Sequence, residues 1–347
     1  MNIILATTSH PFVDGGATYI VDWLERVLLA RGHSVETFRF PFSDDPATFL
    51  SQSLALRLID LSQHGDRLIT IRTPSHLLRH PRKVTWFIHH FRSAYDLWGT
   101  KYQSIPNTAE GVGCRDAIRS ADNVGLKEAS KVFCNSKVVQ KRLHKFNGVD
   151  AEVLYPPLLA TEQYRCETYG DFLLYLSRLT HHKRQWLAIQ ALRHTKSPVR
   201  LCLAGAADPT CLNYVSELRD LAEKCGVADR VQLLPRWIPD KEKADLYARC
   251  LACVYLPFDE DSYGYPSLEA HYAGKAVLTA SDSGGTVELI VDGFNGRVTP
   301  SDPELLAAAM DELFWDRRHA QLLGENGLRR VNQLGISWDH VVSRLLA

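Results

Sequence analysis

Short apolar runs suited to buried strands alternate with helix-length amphipathic segments along almost the whole chain. That alternation dictates parallel sheets covered by helices on both faces. Residues 2–7, 34–38, 68–71, 84–88 and 132–134 read as strands, with an amphipathic helix over 18–30 that stops at Gly32. The stretch 94–125 is polar, aromatic and interrupted by glycines, and reads as irregular. The pattern breaks at Tyr155-Pro-Pro157 and across the polar segment 161–170. It restarts with strands at 172–176, 200–204, 231–234, 251–256 and 276–279 and helical segments at 184–192, 211–225, 241–249 and 265–273. Three more helical patterns follow at 302–315, 317–334 and 338–346. The expected class is α/β: two doubly wound, Rossmann-like domains facing each other across a cleft. The first spans 1–160 and the second 161–334, with 335–347 a final helix packing back on the first. Ligands of such sheets lie beyond the C-terminal ends of the strands.

A length of 347 residues suits two domains better than one. Lys+Arg and Asp+Glu balance at 40 each, so no global pull toward nucleic acid or an anionic membrane is expected. Residues 1–7 lack the basic lead and the length of a signal peptide, and no run of ~18 apolar residues suggests a membrane span. The 8 cysteines are scattered through apparent strands and helices, which suits a reducing, cytoplasmic setting. Cys250 and Cys253 lack a second ligand pair at zinc spacing and read as core residues. Arg79, Arg82 and Lys83, and Lys137, Lys141, Arg142 and Lys145, would suit peripheral contact with the inner face of a membrane. A solvated surface is their plainer reading.

Chemistry concentrates in Asp261-Ser-Tyr-Gly-Tyr-Pro-Ser-Leu-Glu269, where two carboxylates bracket Gly264 and the start of a helix. A helix N-terminus presents unpaired N–H groups and the positive end of a dipole, which favours phosphate. The flanking carboxylates can hold hydroxyls at either end of one elongated polar ligand. Tyr263, Tyr265, Pro266 and Ser267 line the same turn, and Gly284-Gly285-Thr286 follows the next strand. Arg178 and Lys183 flank the turn after the strand 172–176, where a forked guanidinium and a compact ammonium can converge on one anion. Gly15 and Gly16 end the loop after the first strand, without side chains to block a phosphate. His89 and His90 leave the strand 84–88 and could bond a hydroxyl or accept a proton; Tyr95, Asp96 and Trp98 follow them. Asp259 and Asp261 form a D-x-D pair that could hold a divalent cation against a diphosphate, a competing reading.

Together these residues resemble the retaining glycosyltransferases of family 4, with the GT-B fold. Gly264 and Glu269 match the glycine and second glutamate of that family's Glu-x7-Glu signature, while Asp261 stands at the first glutamate, one methylene shorter. Ser177-Arg178-Leu179 with Lys183, Gly284-Gly-Thr-Val-Glu288, Cys134-Asn-Ser136 and Tyr155-Pro-Pro157 resemble its other landmarks. The resemblance implies a first domain for the acceptor and a second for a UDP- or GDP-sugar. Arg178, Lys183 and the N–H groups after Gly264 would hold the diphosphate, Glu269 the ribose and Asp261 the donor sugar. His89 or His90 would orient hydroxyls, and no metal or other cofactor is expected. The acceptor would be a glycan, a lipid-linked sugar or a small molecule. A nucleotide-sugar 2-epimerase and a catalytically weakened nucleotide-sugar-binding protein are the alternatives.

Overall fold

The computed structural model describes residues 1–11, 16–100, 102–208, 211 and 213–347. It divides into two compact units, Met1–Pro157 with Ile336–Ala347, and Leu158–Gly335.

The first unit runs β1 (Asn2–Ser9), α1 (Gly16–Ala30), β2 (Ser34–Pro41), α2 (Pro46–Leu58), β3 (Arg67–Thr70), β4 (Lys83–Phe87), α3 (Ala109–Lys127), β5 (Lys131–Cys134), α4 (Lys137–Asn147) and β6 (Glu152–Val153). Its sheet has the order β2-β1-β3-β4-β5-β6, and every pair is parallel. Ile3 to Ala6 in β1 and all of β4 are buried, as strands covered on both faces must be. Local chemistry sets the helix ends. Asp45 accepts from Ala47 N at 3.0 Å with Pro46 in the first turn of α2, and Ser136 accepts from Val139 N at 3.0 Å to start α4, which closes at Gly148 with φ 63°.

Much of the stretch read as irregular over 94–125 is α3, 19 residues long. Two of its three glycines are packing sites: a Cβ on Gly111 would stand 1.8 Å from Pro106 O, and one on Gly125 2.9 Å from His76 O. Glycine lowers helix propensity by about 1 kcal/mol, and the close approach it permits outweighs that here.

The second unit runs β7 (Phe172–Leu176), α5 (Gln185–His194), β8 (Arg200–Ala204), α6 (Tyr214–Lys224), β9 (Val231–Leu234), α7 (Asp240–Arg249), β10 (Ala252–Val254), α8 (Tyr265–Tyr272), β11 (Val277–Ala280), α9 (Thr286–Leu289), β12 (Gly296–Thr299), α10 (Pro303–Trp315) and α11 (Arg317–Gln333). Its parallel sheet has the order β12-β11-β10-β7-β8-β9. Strand order therefore reverses between β7 and β10, and such a switch point opens a crevice at the strands' C-terminal ends. Leu173, Leu201, Val254 and Leu278 from the sheet meet Leu187, Leu218, Leu306 and Met310 from the helices in one core. Each such side chain contributes about 1.5–3 kcal/mol by leaving water.

The last helix, α12 (Trp338–Leu346), belongs to the first unit. Ser337 caps it, Arg344 forks onto Glu152, and Arg67 Nη1 donates to Leu345 O at 2.7 Å.

Candidate functional site

The switch point of the second unit is where the sequence-derived residues gather. Three loops leave the sheet there: 177–184 after β7, 255–264 after β10, and 281–285 after β11. They interlock through backbone bonds, Phe258 N to His182 O at 2.8 Å, Asp259 N to Asp282 O at 2.9 Å and Gly285 N to Glu260 O at 2.8 Å. The Gly-Gly turn is required by closeness. A Cβ on Gly284 would stand 2.3 Å from Glu260 O, and one on Gly285 2.6 Å from Ser262 C. Gly284 also has φ +60°.

Lys183 is 8% exposed, at the end of a single 3-10 turn over His181–Lys183. Its Nζ donates to Tyr255 OH at 3.0 Å and to the Glu260 carboxylate, and lies over the Tyr255 ring. Burial, then the Glu260 charge, pushes the Tyr255 hydroxyl well above its ordinary pKa, so it stays a neutral donor and acceptor. Arg178 is half-exposed on the same loop, with Nη1 3.6 Å from Asp208. Among the described residues the two cations pair with different carboxylates, Arg178 with Asp208 and Lys183 with Glu260.

Gly264 heads α8 with φ +73°, and a Cβ there would stand 2.3 Å from Tyr255 Cε1. Tyr263 is buried, and Asp261, Tyr265 and Pro266 are half-buried. Ser267 and Thr286 are fully buried, with hydroxyl oxygens that have no hydrogen-bond partner. Buried hydroxyls normally find one.

Glu269, 4% exposed, is the most tightly held carboxylate of the site. Oε1 accepts from Tyr164 OH at 3.0 Å and Lys243 Nζ at 2.8 Å, and Oε2 from Tyr247 OH at 3.0 Å. Burial alone would lower the Lys243 pKa, but the Glu269 and Asp240 carboxylates hold it above the ordinary value. Burial and the Glu269 charge raise both tyrosine hydroxyls. A carboxylate so provided with donors is a fixed acceptor for a ligand's hydroxyls.

Sequence reasoning passed over Tyr164, Lys243 and Arg184, and took Glu260 only as a stand-in for Asp261. Tyr164 lies in a segment without period, and nothing in the sequence ties it to a helix 105 residues on. Arg184 adopts φ 54° with no glycine to announce it, a conformation costing a non-glycine residue roughly 1–2 kcal/mol. It recovers this through a guanidinium bonded on every side. Although burial works against it, Arg184 holds the Asp282 carboxyl below the usual carboxylate range.

In the first unit Gly16 starts α1, while Gly15 lies outside the described residues. His89 is half-buried, with Nδ1 donating to His90 O at 2.9 Å, which leaves Nε2 as the acceptor of a neutral ring. His90 is packed differently from the open position expected for a catalytic histidine. It is 2% exposed among Phe87, Tyr95 and Phe146, with Nε2 2.8 Å from Asn147 Oδ1. That network continues from Asn147 to Tyr95, Asp122 and His76. The basic surface is also smaller than the sequence suggested: Lys83 is fully buried and Arg142 is 9% exposed. Lys83 heads β4 and donates inward to His76 O, Leu78 O and Glu128. Among the described residues no three His, Cys, Asp or Glu side chains are grouped as metal ligands, and no helix is long and apolar enough to cross a membrane.

Residues 162–330 match the sequence model of the family glycosyl transferases group 1. A D-inositol 3-phosphate glycosyltransferase from Xylanimonas cellulosilytica is 30% identical over 216 residues, 57% of this chain and 48% of that protein. A GDP-mannose-dependent alpha-(1-6)-phosphatidylinositol monomannoside mannosyltransferase from Mycolicibacterium smegmatis is 30% identical over 194 residues, 52% of this chain and 49% of that protein. The matched stretch thus spans about half the length of these curated relatives. Among solved structures, HepE of Anabaena in complex with UDP superposes with a TM-score of 0.75 at 18% identity, over 100% of this chain and 98% of that one. Residues 162–330 thus resemble the glycosyl transferases group 1 family, and the chain's two parallel-sheet α/β units have the GT-B fold.

Proposed function

We propose that the protein is a retaining, metal-independent glycosyltransferase that moves a hexose-type sugar from a UDP- or GDP-sugar to an acceptor hydroxyl. The observation that carries this reading is the β7–β10 switch point, where Lys183, Arg178 and the start of α8 stand beside a buried, donor-rich Glu269. Cations and helix N–H groups suit a diphosphate, and the fixed carboxylate suits the two ribose hydroxyls. The second unit is accordingly the donor domain and the first the acceptor domain.

As the bond from anomeric carbon to phosphate breaks, negative charge grows on the leaving diphosphate. Donors already aimed at that charge lower the barrier more than they tighten the ground state. Arg178 and Lys183 take this role, and Asp261 bonds the donor sugar. A phosphate oxygen accepts the acceptor's proton on the face the leaving group vacates, which retains configuration. His89, through Nε2, orients a hydroxyl.

The named relatives act on inositol phosphate and phosphatidylinositol mannoside acceptors. Their chemistry supports a polyol, glycan or lipid-linked acceptor here, with peripheral membrane contact as one way to meet it. Calorimetric titration with UDP, GDP, ADP and their sugar conjugates, with and without EDTA, tests the reading. One nucleotide diphosphate should bind, indifferent to EDTA and weakened by Glu269→Gln. Binding that requires a divalent cation would move the phosphate contact to Asp259 and Asp261. Release of free sugar without an acceptor would favour the epimerase.

A further inference from the structure

Arg184 sits directly after Lys183, in a left-handed backbone conformation of φ 54° and ψ 38°. It points away from solvent, 7% exposed, and its guanidinium reaches the exits of two other strands. Nε donates to Leu256 O at 2.7 Å and Nη2 to Pro257 O at 2.9 Å, both just beyond β10. Nη1 and Nη2 fork onto the Asp282 carboxylate at 2.8 and 2.7 Å, just beyond β11. One side chain therefore joins the three loops that carry Lys183, the residues leading to Gly264, and the Gly284–Gly285 turn. A fork of fixed shape can do this; a lysine, with one compact ammonium, cannot span both exits with the same set of bonds.

We propose that Arg184 and Asp282 are a positioning pair that sets Lys183 and the start of α8 at the spacing a diphosphate requires. This rests on the nucleotide-sugar reading of the same site. Neither residue need touch the ligand. A non-glycine residue is kept where glycine would be unstrained, and the strain persists because the one guanidinium is fixed on the exits of two strands. The pair acts on the phosphate side of the site alone. Glu269 is held separately, by Tyr164, Lys243 and Tyr247.

That separation gives the test. In the full-length protein, Arg184→Gly suits the backbone and removes the fork. Affinity for the nucleoside diphosphate should fall ~10–100-fold, about the worth of one charge-assisted hydrogen bond lost from register. Affinity for the matching nucleoside monophosphate, which relies more on Glu269, should fall far less. Hydrogen exchange across 256–264 should quicken in the same variant. Asp282→Asn should shift the ratio of the two affinities in the same direction by a smaller amount, and it decides the matter should Arg184→Gly fail to fold. An unchanged ratio in a folded variant overturns the positioning role, as does an equal loss of both ligands. A wild-type protein that binds no nucleotide at all would overturn the donor reading itself, a distinguishable result.

Discussion

Lys183 is ion-paired with Glu260, the residue just before the carboxylate that the spacing to Glu269 singles out. An incoming diphosphate would meet an ammonium already neutralised from within the site. Its binding then exchanges one anion for another, and the loop carrying Glu260 is itself tied to the Gly284–Gly285 turn.

Replacing Glu260 with Gln removes the competing charge and keeps the shape. Nucleoside diphosphate affinity is expected to rise, by ~3–10-fold, about 1 kcal/mol for a partly exposed pair. Calorimetry at low salt would show it, and the gain should shrink as salt is raised. A weaker complex would instead assign Glu260 to the donor sugar.

Gly264→Ala meets two obstacles, the +73° φ and the Tyr255 ring 2.3 Å from the new Cβ. The combined cost is expected to reach at least about 2 kcal/mol. Urea unfolding should show it as a lower midpoint with an unchanged slope. Tyr255→Leu in the same chain should restore part of it, because only the clash is relieved.

That Gly264 and Glu269 share a helix start, and that basic residues follow β7, was legible because residue type and interval stand together in the sequence. The partners of Glu269 were not. Tyr164 has no periodic neighbourhood, and Lys243 reads as one more charge on an amphipathic helix. Fold class followed from the alternation of apolar runs, yet α3 was hidden: Gly111, Gly113 and Gly125 look like breakers until the close approach of His76 and Pro106 to two of them is known. Lys83 shows the converse, since a lysine at a strand's start carries no mark of facing inward.

Burial pulls the Lys83 pKa down to about 8, with Glu128 opposing. The folded state thus binds its proton less tightly than the unfolded chain, whose lysine titrates near 10.4. This lysine's cost to stability is full below pH 8 and fades as pH rises toward 10.4. The difference in unfolding free energy between wild type and Lys83→Met should therefore change across that window and be flat below it.

His271, in the same helix as Glu269, is fully buried. Asn295 Oδ1 accepts from Val291 N at 2.7 Å, which turns Nδ2 toward His271 Nε2 at 2.9 Å; the ring's Nδ1 accordingly faces Lys275 O at 3.3 Å. Burial lowers its pKa to about 4. The neutral ring stabilises the fold fully above pH 6.5, and that contribution, about 3 kcal/mol, is lost as pH falls toward 4. His271→Gln should flatten the acid limb of the stability profile by a comparable amount, measured by urea unfolding at successive pH values.

Residues 158–335 stand between the two stretches that make the first unit. During synthesis the inserted unit is whole before α12 has been made, while the unit begun earliest still lacks the fork of Arg344 on Glu152 and the Leu345 carbonyl that receives Arg67. The unit begun first is therefore the one that closes last, and a nascent chain would carry a finished second unit on a host whose sheet is still waiting for its final helix.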